Sequence, residues 1–347
     1  MNGDNALFAG ESYVAVGRES TWGTGVTTTA SIDFISSSIK VVKASQVLEE
    51  VSRKRTHQRD IRLGKVVAGD LMSNLYPDLT YTAYILQNAF GGAVTSATAT
   101  AETTGGAAMT HTFNTGSFDQ SYTALSMTER KGPAAGGKVF KYNGGRVNSL
   151  SLVANLDQAV QMTAGLVFKD ATVGATDVES LLTTTALEPL TFVGARFSVE
   201  SAMASLTSTS YWCMQSVNFN MNNNLKTDDQ ARCIGSDTLA RLPYGIQSFE
   251  LSGVMRFDTT TAYDAMMNST SLCGELEFLG STIPGSSVRR GLKLIFNKLK
   301  VNDAGDPEIG GPDETLESTV TFTVLRSESA TGFAVKGELT NNISSLA

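Results

Sequence analysis

A chain of 347 residues, 41% hydrophobic and 18% charged, has the length for two domains with full cores and the composition of a folded protein. Its net charge of −7 argues against nucleic-acid binding over the whole surface, but not against a surface that nucleic acid passes without sticking. Cys213, Cys233 and Cys273 are odd in number and form no C-x-x-C pair, which disfavours a disulfide framework or zinc knuckle and suits a reducing cytosol.

In chain order, residues 1–31 are rich in small residues and read either as an edge strand followed by a turn or as an N-terminal arm, with Trp22 beside glycines as an anchor on a neighbouring subunit. No signal peptide is expected from Met1–Ala6. No apolar run of about 18 residues predicts a transmembrane helix. A short strand begins at Ile39 and passes into a charged loop, Gln46–Lys65. There Arg53, Lys54, Arg55, Arg59, Arg62 and Lys65 outnumber Glu49, Glu50 and Asp60. The plain reading of such a run is a solvated hairpin tip. A nucleic-acid patch lacks interleaved aromatics. A strand from Val66 leads to Leu79–Phe90, where Leu79, Ala83, Leu86 and Phe90 recur at helical spacing before Gly91. Gly91–Gly116, built of Ala, Thr and Gly, reads as a loop. Val147–Ala154 and Val160–Asp170 alternate as a hairpin, putting Leu150, Leu152, Met162, Ala164, Leu166 and Phe168 in one interior.

Residues 171–188 read as a linker, and the order of elements then repeats. A strand at Val217–Met221 enters a polar loop, Asn222–Tyr244, in which Lys226, Arg232 and Arg241 balance Asp228, Asp229 and Asp237. A strand at Ile246–Phe257, a short helix from Thr260 and strands from Leu272, Leu292 and Leu316 complete the second copy. Val67–Met72 is echoed by Leu251–Met255, and Thr82-Ala-Tyr by Thr261-Ala-Tyr. The expected architecture is mainly β: two tandem β-sandwich or barrel domains, residues 32–170 and 189–347, each with a flanking short helix and a long hairpin loop. Because the two loops differ in charge, they read as interlocking subunit contacts rather than as DNA sites. The candidate contact residues are Trp22, Glu49, Glu50, Arg53, Lys54, Arg55, Arg59, Arg62, Lys226, Asp228, Asp229, Arg232, Asp237 and Arg241.

The residues offer little catalytic chemistry. His57 and His111, the two histidines, form no metal-binding pair, and no G-x-S-x-G elbow is present. Neither phosphate-binding glycine motif occurs. The acids of Asn302–Glu314 match no calcium-ligand spacing. Only Trp22 and Trp212 could serve as sugar platforms. No enzyme activity, cofactor or metal is expected.

Gly17-Arg-Glu-Ser-Thr-Trp-Gly-Thr-Gly resembles the N-terminal G-x-E-x-T-x-G-T signature of long-tailed phage tail tube (major tail) proteins. Ser36-Ser-Ser-Ile-Lys, the strand around Gly69 and the helix after it resemble that family's next elements. Tyr142-Asn-Gly-Gly-Arg-Val-Asn-Ser-Leu-Ser-Leu is similar to its central strand, with Gly145 a loose match. The resemblance implies β-domains stacked as rings around a lumen that carries genomic DNA without sequence-specific binding. A duplicated chain would build a six-domain ring from three copies. The implied partners are further copies and the terminator, tape-measure and baseplate proteins, with no membrane, in a virion tail assembled in the bacterial cytoplasm. An acidic lumen would repel the genome. The other reading of the residues is a tandem β-sandwich binding module, such as a receptor- or carbohydrate-binding virion component.

Overall fold

A computed structural model describes residues 9–346 apart from 51–55, 58, 92–93, 101, 103–107, 116–122, 183–187, 207–210, 258–259, 306–314, 329–331 and 345. The first half contributes β1 (Tyr13–Glu19), β2 (Ala30–Ile32), β3 (Phe34–Ser37), β4 (Lys40–Val47) and β5 (Asp60–Asn74), then α1 (Thr80–Phe90). It continues with β6 (Val94–Thr98), β7 (Met109–Asn114), β8 (Ala124–Lys131), β9 (Lys138–Asn155), β10 (Gln161–Phe168) and β11 (Asp170–Val173). The second half adds β12 (Ala195–Glu200), β13 (Met214–Asn222), β14 (Ser248–Arg256) and α2 (Thr261–Met267). It ends with β15 (Ser271–Thr282), β16 (Arg289–Asp303), β17 (Glu317–Leu325) and β18 (Val335–Asn341). All of these strands join one antiparallel hydrogen-bonded network, so the fold is mainly β.

Alternation decides which way each strand faces. In β13, Val217, Phe219 and Met221 are buried while Ser216, Asn218, Asn220 and Asn222 point away. β17 likewise buries Ser318, Val320, Phe322 and Val324 and turns out Thr319, Thr321 and Thr323. A one-residue slip would put the phenylalanines in water, so the core fixes the register. The buried faces meet in a single hydrophobic cluster that draws on both halves, including Leu71, Phe90 and Leu152 with Phe219, Phe296 and Phe322.

α1 lies against β9, β1, β2, β7 and β8. Its end follows the sequence signal: Gly91 takes φ 70 and its N–H bonds the Gln87 carbonyl, a left-handed cap that favours glycine. At its start Leu79 is the cap residue and makes no side-chain cap hydrogen bond, while the neighbouring Asp78 pairs with Arg290. Gly69 is needed for close approach, because a Cβ there would sit 2.5 Å from the Ile39 backbone where β3 passes into β4.

Three expectations change. Gly91–Gly116 is not all loop, since β6 and β7 pair there and β7 also pairs with β18 of the second half. The first charged loop is shorter than Gln46–Lys65, because β4 and β5 continue their ladder out to Val47↔Asp60. Asn222–Tyr244 is the expected loop, but instead of projecting as a hairpin it holds a 3-10 turn at Asp229–Ala231 and folds back on the first half.

Candidate assembly surfaces and channel face

The two halves share one pattern of strand pairing. In the first half β1 pairs with β8, β4 with β5, β5 with β10, β8 and β10 with β9, and β11 with β9. In the second half β12 pairs with β15, β13 with β14, β14 with β17, β15 and β17 with β16, and β18 with β16. Each pairing in the first set has its counterpart in the second. α1 and α2 occupy the same place in the order, after β5 and β14.

Two strand pairings, a buried ion pair and a folded-back loop are among the contacts that lock the halves together. β13 pairs with β9 from Ser216↔Asn155 to Asn222↔Ser149, and β18 pairs with β7 from Lys336↔Asn114 to Asn341↔Met109. Arg290 Nη1 forms an ion pair with Asp78 Oδ2, and both side chains are nearly fully buried. Burial raises the Asp78 pKa, with the Arg290 charge opposing it. Nearby, Asn341 donates to the Pro77 carbonyl, and its side-chain oxygen lies 3.0 Å from His111 Nε2. The folded-back loop is the 222–245 segment. Ala231, Leu239 and Leu242 pack with Val167, beside the partly buried Trp22 and Ala68.

The fourteen candidate contact residues fall into groups. Trp22 packs on its own chain: its Nε1 donates to the Gly144 carbonyl at 3.0 Å, and Lys169 Nζ lies 4.9 Å above the ring. The turn behind it hangs on buried Glu19, whose carboxylate accepts from the Gly23 and Gly144 N–H groups and from the Ser126 hydroxyl. Arg232 donates to the Lys65 carbonyl. Asp237 accepts from the Lys65 N–H at 2.9 Å through its backbone and meets Lys43 Nζ at 3.7 Å. Asp228 accepts from Gln230 N, Asp229 sits in that 3-10 turn, and Arg241 Nε donates to the Gln230 carbonyl. Lys226 is exposed while its N–H bonds Pro243. Glu49, Glu50, Arg59 and Arg62 are exposed on the β4–β5 hairpin, with Arg59 3.5 Å from Glu50. Arg53, Lys54 and Arg55 lie outside the described residues, as does most of the acidic stretch that ends at Glu314.

A further surface had no motif to announce it. The strand order β5–β10–β9–β13–β14–β17 carries one unbroken face turned away from the core. Thr163, Ser149, Ser151, Asn218, Asn220 and Ser252 make up most of its middle, with Val153 opposite Asn218 and with Asp70 and Glu250 towards its flanks. Part of it is concave, a cavity of about 740 Å³ lined by Ser151, Asn220, Glu250, Asn302 and Thr323 among others. Among the described residues no group of three or more His, Cys, Asp and Glu could hold a metal ion.

The phage tail tube protein family matches residues 10–324, which is most of the chain. The protein belongs to the phage tail tube family. No curated protein sequence matches it closely enough to add to this. Membership makes the chain a structural component of a phage tail that assembles into a tube with other tail components.

Proposed function

We propose that three copies of this chain close into a ring with pseudo-six-fold symmetry, and that rings stack into a hollow tube through which the genome leaves the virion. The observation that carries this reading is the repeated pairing pattern. β4–β5–β10–β9 is followed by β13–β14–β17–β16, and β9 joins the two series through β13. The corresponding outer edge of β4 has no partner among the described residues. A second copy adding there would extend the sheet by the rule already used inside the chain, and closure would pair that open edge.

In this arrangement the Ser, Thr and Asn face lines the lumen. It supports a different mechanism from an acidic wall. Its middle strands carry hydroxyls and amides, which hold a water layer and give phosphates neither a cation to bind nor a strong field to climb. The chain acts mechanically, as a conduit rather than a catalyst, with terminator, tape-measure and baseplate proteins at the tube ends and assembly in the bacterial cytoplasm. Labelling Asn220→Cys with maleimide-gold, in assembled tubes whose Cys213, Cys233 and Cys273 are changed to Ser, tests the wall. Gold confined to the lumen supports the assignment, and gold on the outer surface overturns it.

A further inference from the structure

β9 changes sheets partway along its length. Up to Gly145 it pairs with β8 and β11, and from Arg146 it pairs with β10 and brings Ser149 and Ser151 to the channel face. At the change the register against β8 steps from Met127↔Tyr142 to Leu125↔Gly145, a bulge of one extra residue on β9. Gly144 falls inside it, buried, at φ 68 and outside the ladder. Buried backbone groups outside a ladder need other partners, and both of Gly144's come from the N-terminal segment. Its N–H donates to Glu19 Oε1 at 2.8 Å, and its carbonyl accepts from Trp22 Nε1 at 3.0 Å. Glu19, 3% exposed, also accepts from the Gly23 N–H and the Ser126 hydroxyl, each at 2.7 Å. Lys169, between β10 and β11, lies over the Trp22 ring and donates its N–H to the Asn143 carbonyl, so the chain's return crossing sits at the same corner. The corresponding corner of β16 has no glycine; there Asn297 donates its N–H to the Ala334 carbonyl and accepts from the Cys273 thiol.

We propose that Glu19 and Trp22 are positioning residues, which clamp the Gly144–Gly145 corner and hold the channel-bearing sheet at one angle to the sheet of β1, β2, β8 and β11. The inference deepens the channel reading above, while its test is made on the unassembled chain. Packing demands both glycines: a Cβ at Gly144 would lie 2.7 Å from the Lys169 Cβ, and one at Gly145 would lie 2.5 Å from the Phe168 ring. Two adjacent glycines make a pliable joint, however, and the ladder gives Gly144 no support. Charge-assisted bonds to a buried carboxylate supply the stiffness that the ladder omits. Trp22 also packs beside Ala231, Leu239 and Leu242, so the clamp bears on the segment with which the second half grips the first. The angle it fixes decides which way Ser149, Ser151 and Thr163 point.

The test places spin labels on Lys138→Cys, in the first part of β9, and on Thr163→Cys, on the channel face, in the full chain with Cys213, Cys233 and Cys273 changed to Ser. Pulsed electron paramagnetic resonance reads the distance between them, and one narrow peak is expected for that chain. Losing a hydrogen bond to a charged group raises the population of displaced corners by about tenfold or more. Glu19→Ala should therefore replace the peak with a broad or split distribution. Ser126→Ala, which removes a bond to the same carboxylate without touching Gly144, should keep it. A broad distribution before any clamp residue is changed overturns the proposal, as does an unaltered peak in Glu19→Ala or equal broadening in Ser126→Ala. If Glu19→Ala does not fold, Trp22→Phe decides, since it removes the donor to the Gly144 carbonyl and keeps a ring under Lys169. A peak that Trp22→Phe leaves unchanged contradicts the clamp, and a broadened one supports it. Gold on the outer surface of Asn220→Cys tubes would end the channel reading and leave this result standing.

Discussion

Removing the Asp78 carboxylate strips the ion-pair partner from a guanidinium that lies buried between the halves. Arg290 is 10% exposed at its side chain and Asp78 4%, and Arg290 Nε already has no hydrogen-bond partner. Asp78→Ala therefore leaves a buried, unneutralised charge, which costs about 3–5 kcal/mol. With a urea dependence of about 3 kcal/mol per molar for a chain of this size, the unfolding midpoint should fall by about 1–1.7 M. Asp78→Ala combined with Arg290→Met removes both charges, fills much of the same volume and should recover most of the loss. The assay is urea unfolding of the monomeric protein followed by tryptophan fluorescence. A loss below about 1 kcal/mol for the single variant, or a double variant no more stable than it, would show that the pair does not tie the halves.

His111 predicts a pH effect. Its burial lowers its pKa below 6.5, with the Asn341 hydrogen bond opposing. The unfolded chain thus takes up the proton first, so the stability held above pH 6.5 is lost as pH falls from there towards the folded value, by at most about 1.4 kcal/mol per pH unit. His111→Gln should flatten that slope in denaturation curves between pH 7 and 5; an unchanged slope assigns it to other groups. Trp22→Ala should cost about 1–3 kcal/mol of stability by emptying the space under Lys169 and beside Ala231, while a purely intersubunit role would leave the monomer melt unchanged. Asn218→Lys with Asn220→Lys should give tubes that retain a labelled oligonucleotide, released by salt, where unsubstituted tubes retain none. Equal retention by both would remove the low-charge wall from the mechanism.

Much of the fold was legible where hydrophobic contrast is strong. Leu150 and Leu152 alternate with Ser149 and Ser151, and the six residues expected in one interior are all buried. The Gly91 cap was equally plain, since only the left-handed turn asks for glycine there. β6 and β7 were missed because Val94–Thr98 and Met109–Asn114 offer mostly Thr, Ser and Ala, and β7 owes its place to β18, more than two hundred residues away. Pairing between halves leaves no local mark in sequence, so neither the β9–β13 joint nor the Asp78–Arg290 pair could be read from spacing. The polar face was hidden for a different reason. Each strand shows its Ser, Thr or Asn as an ordinary outward residue, and only the strand order brings them onto one surface.

The central claim is a ring of three duplicated chains, and electron microscopy of purified, concentrated protein with averaging of end-on views tests it most directly. Hollow tubes whose rings contain three chains, with six similar lobes around the lumen, are the predicted result. Rings of six chains would contradict it.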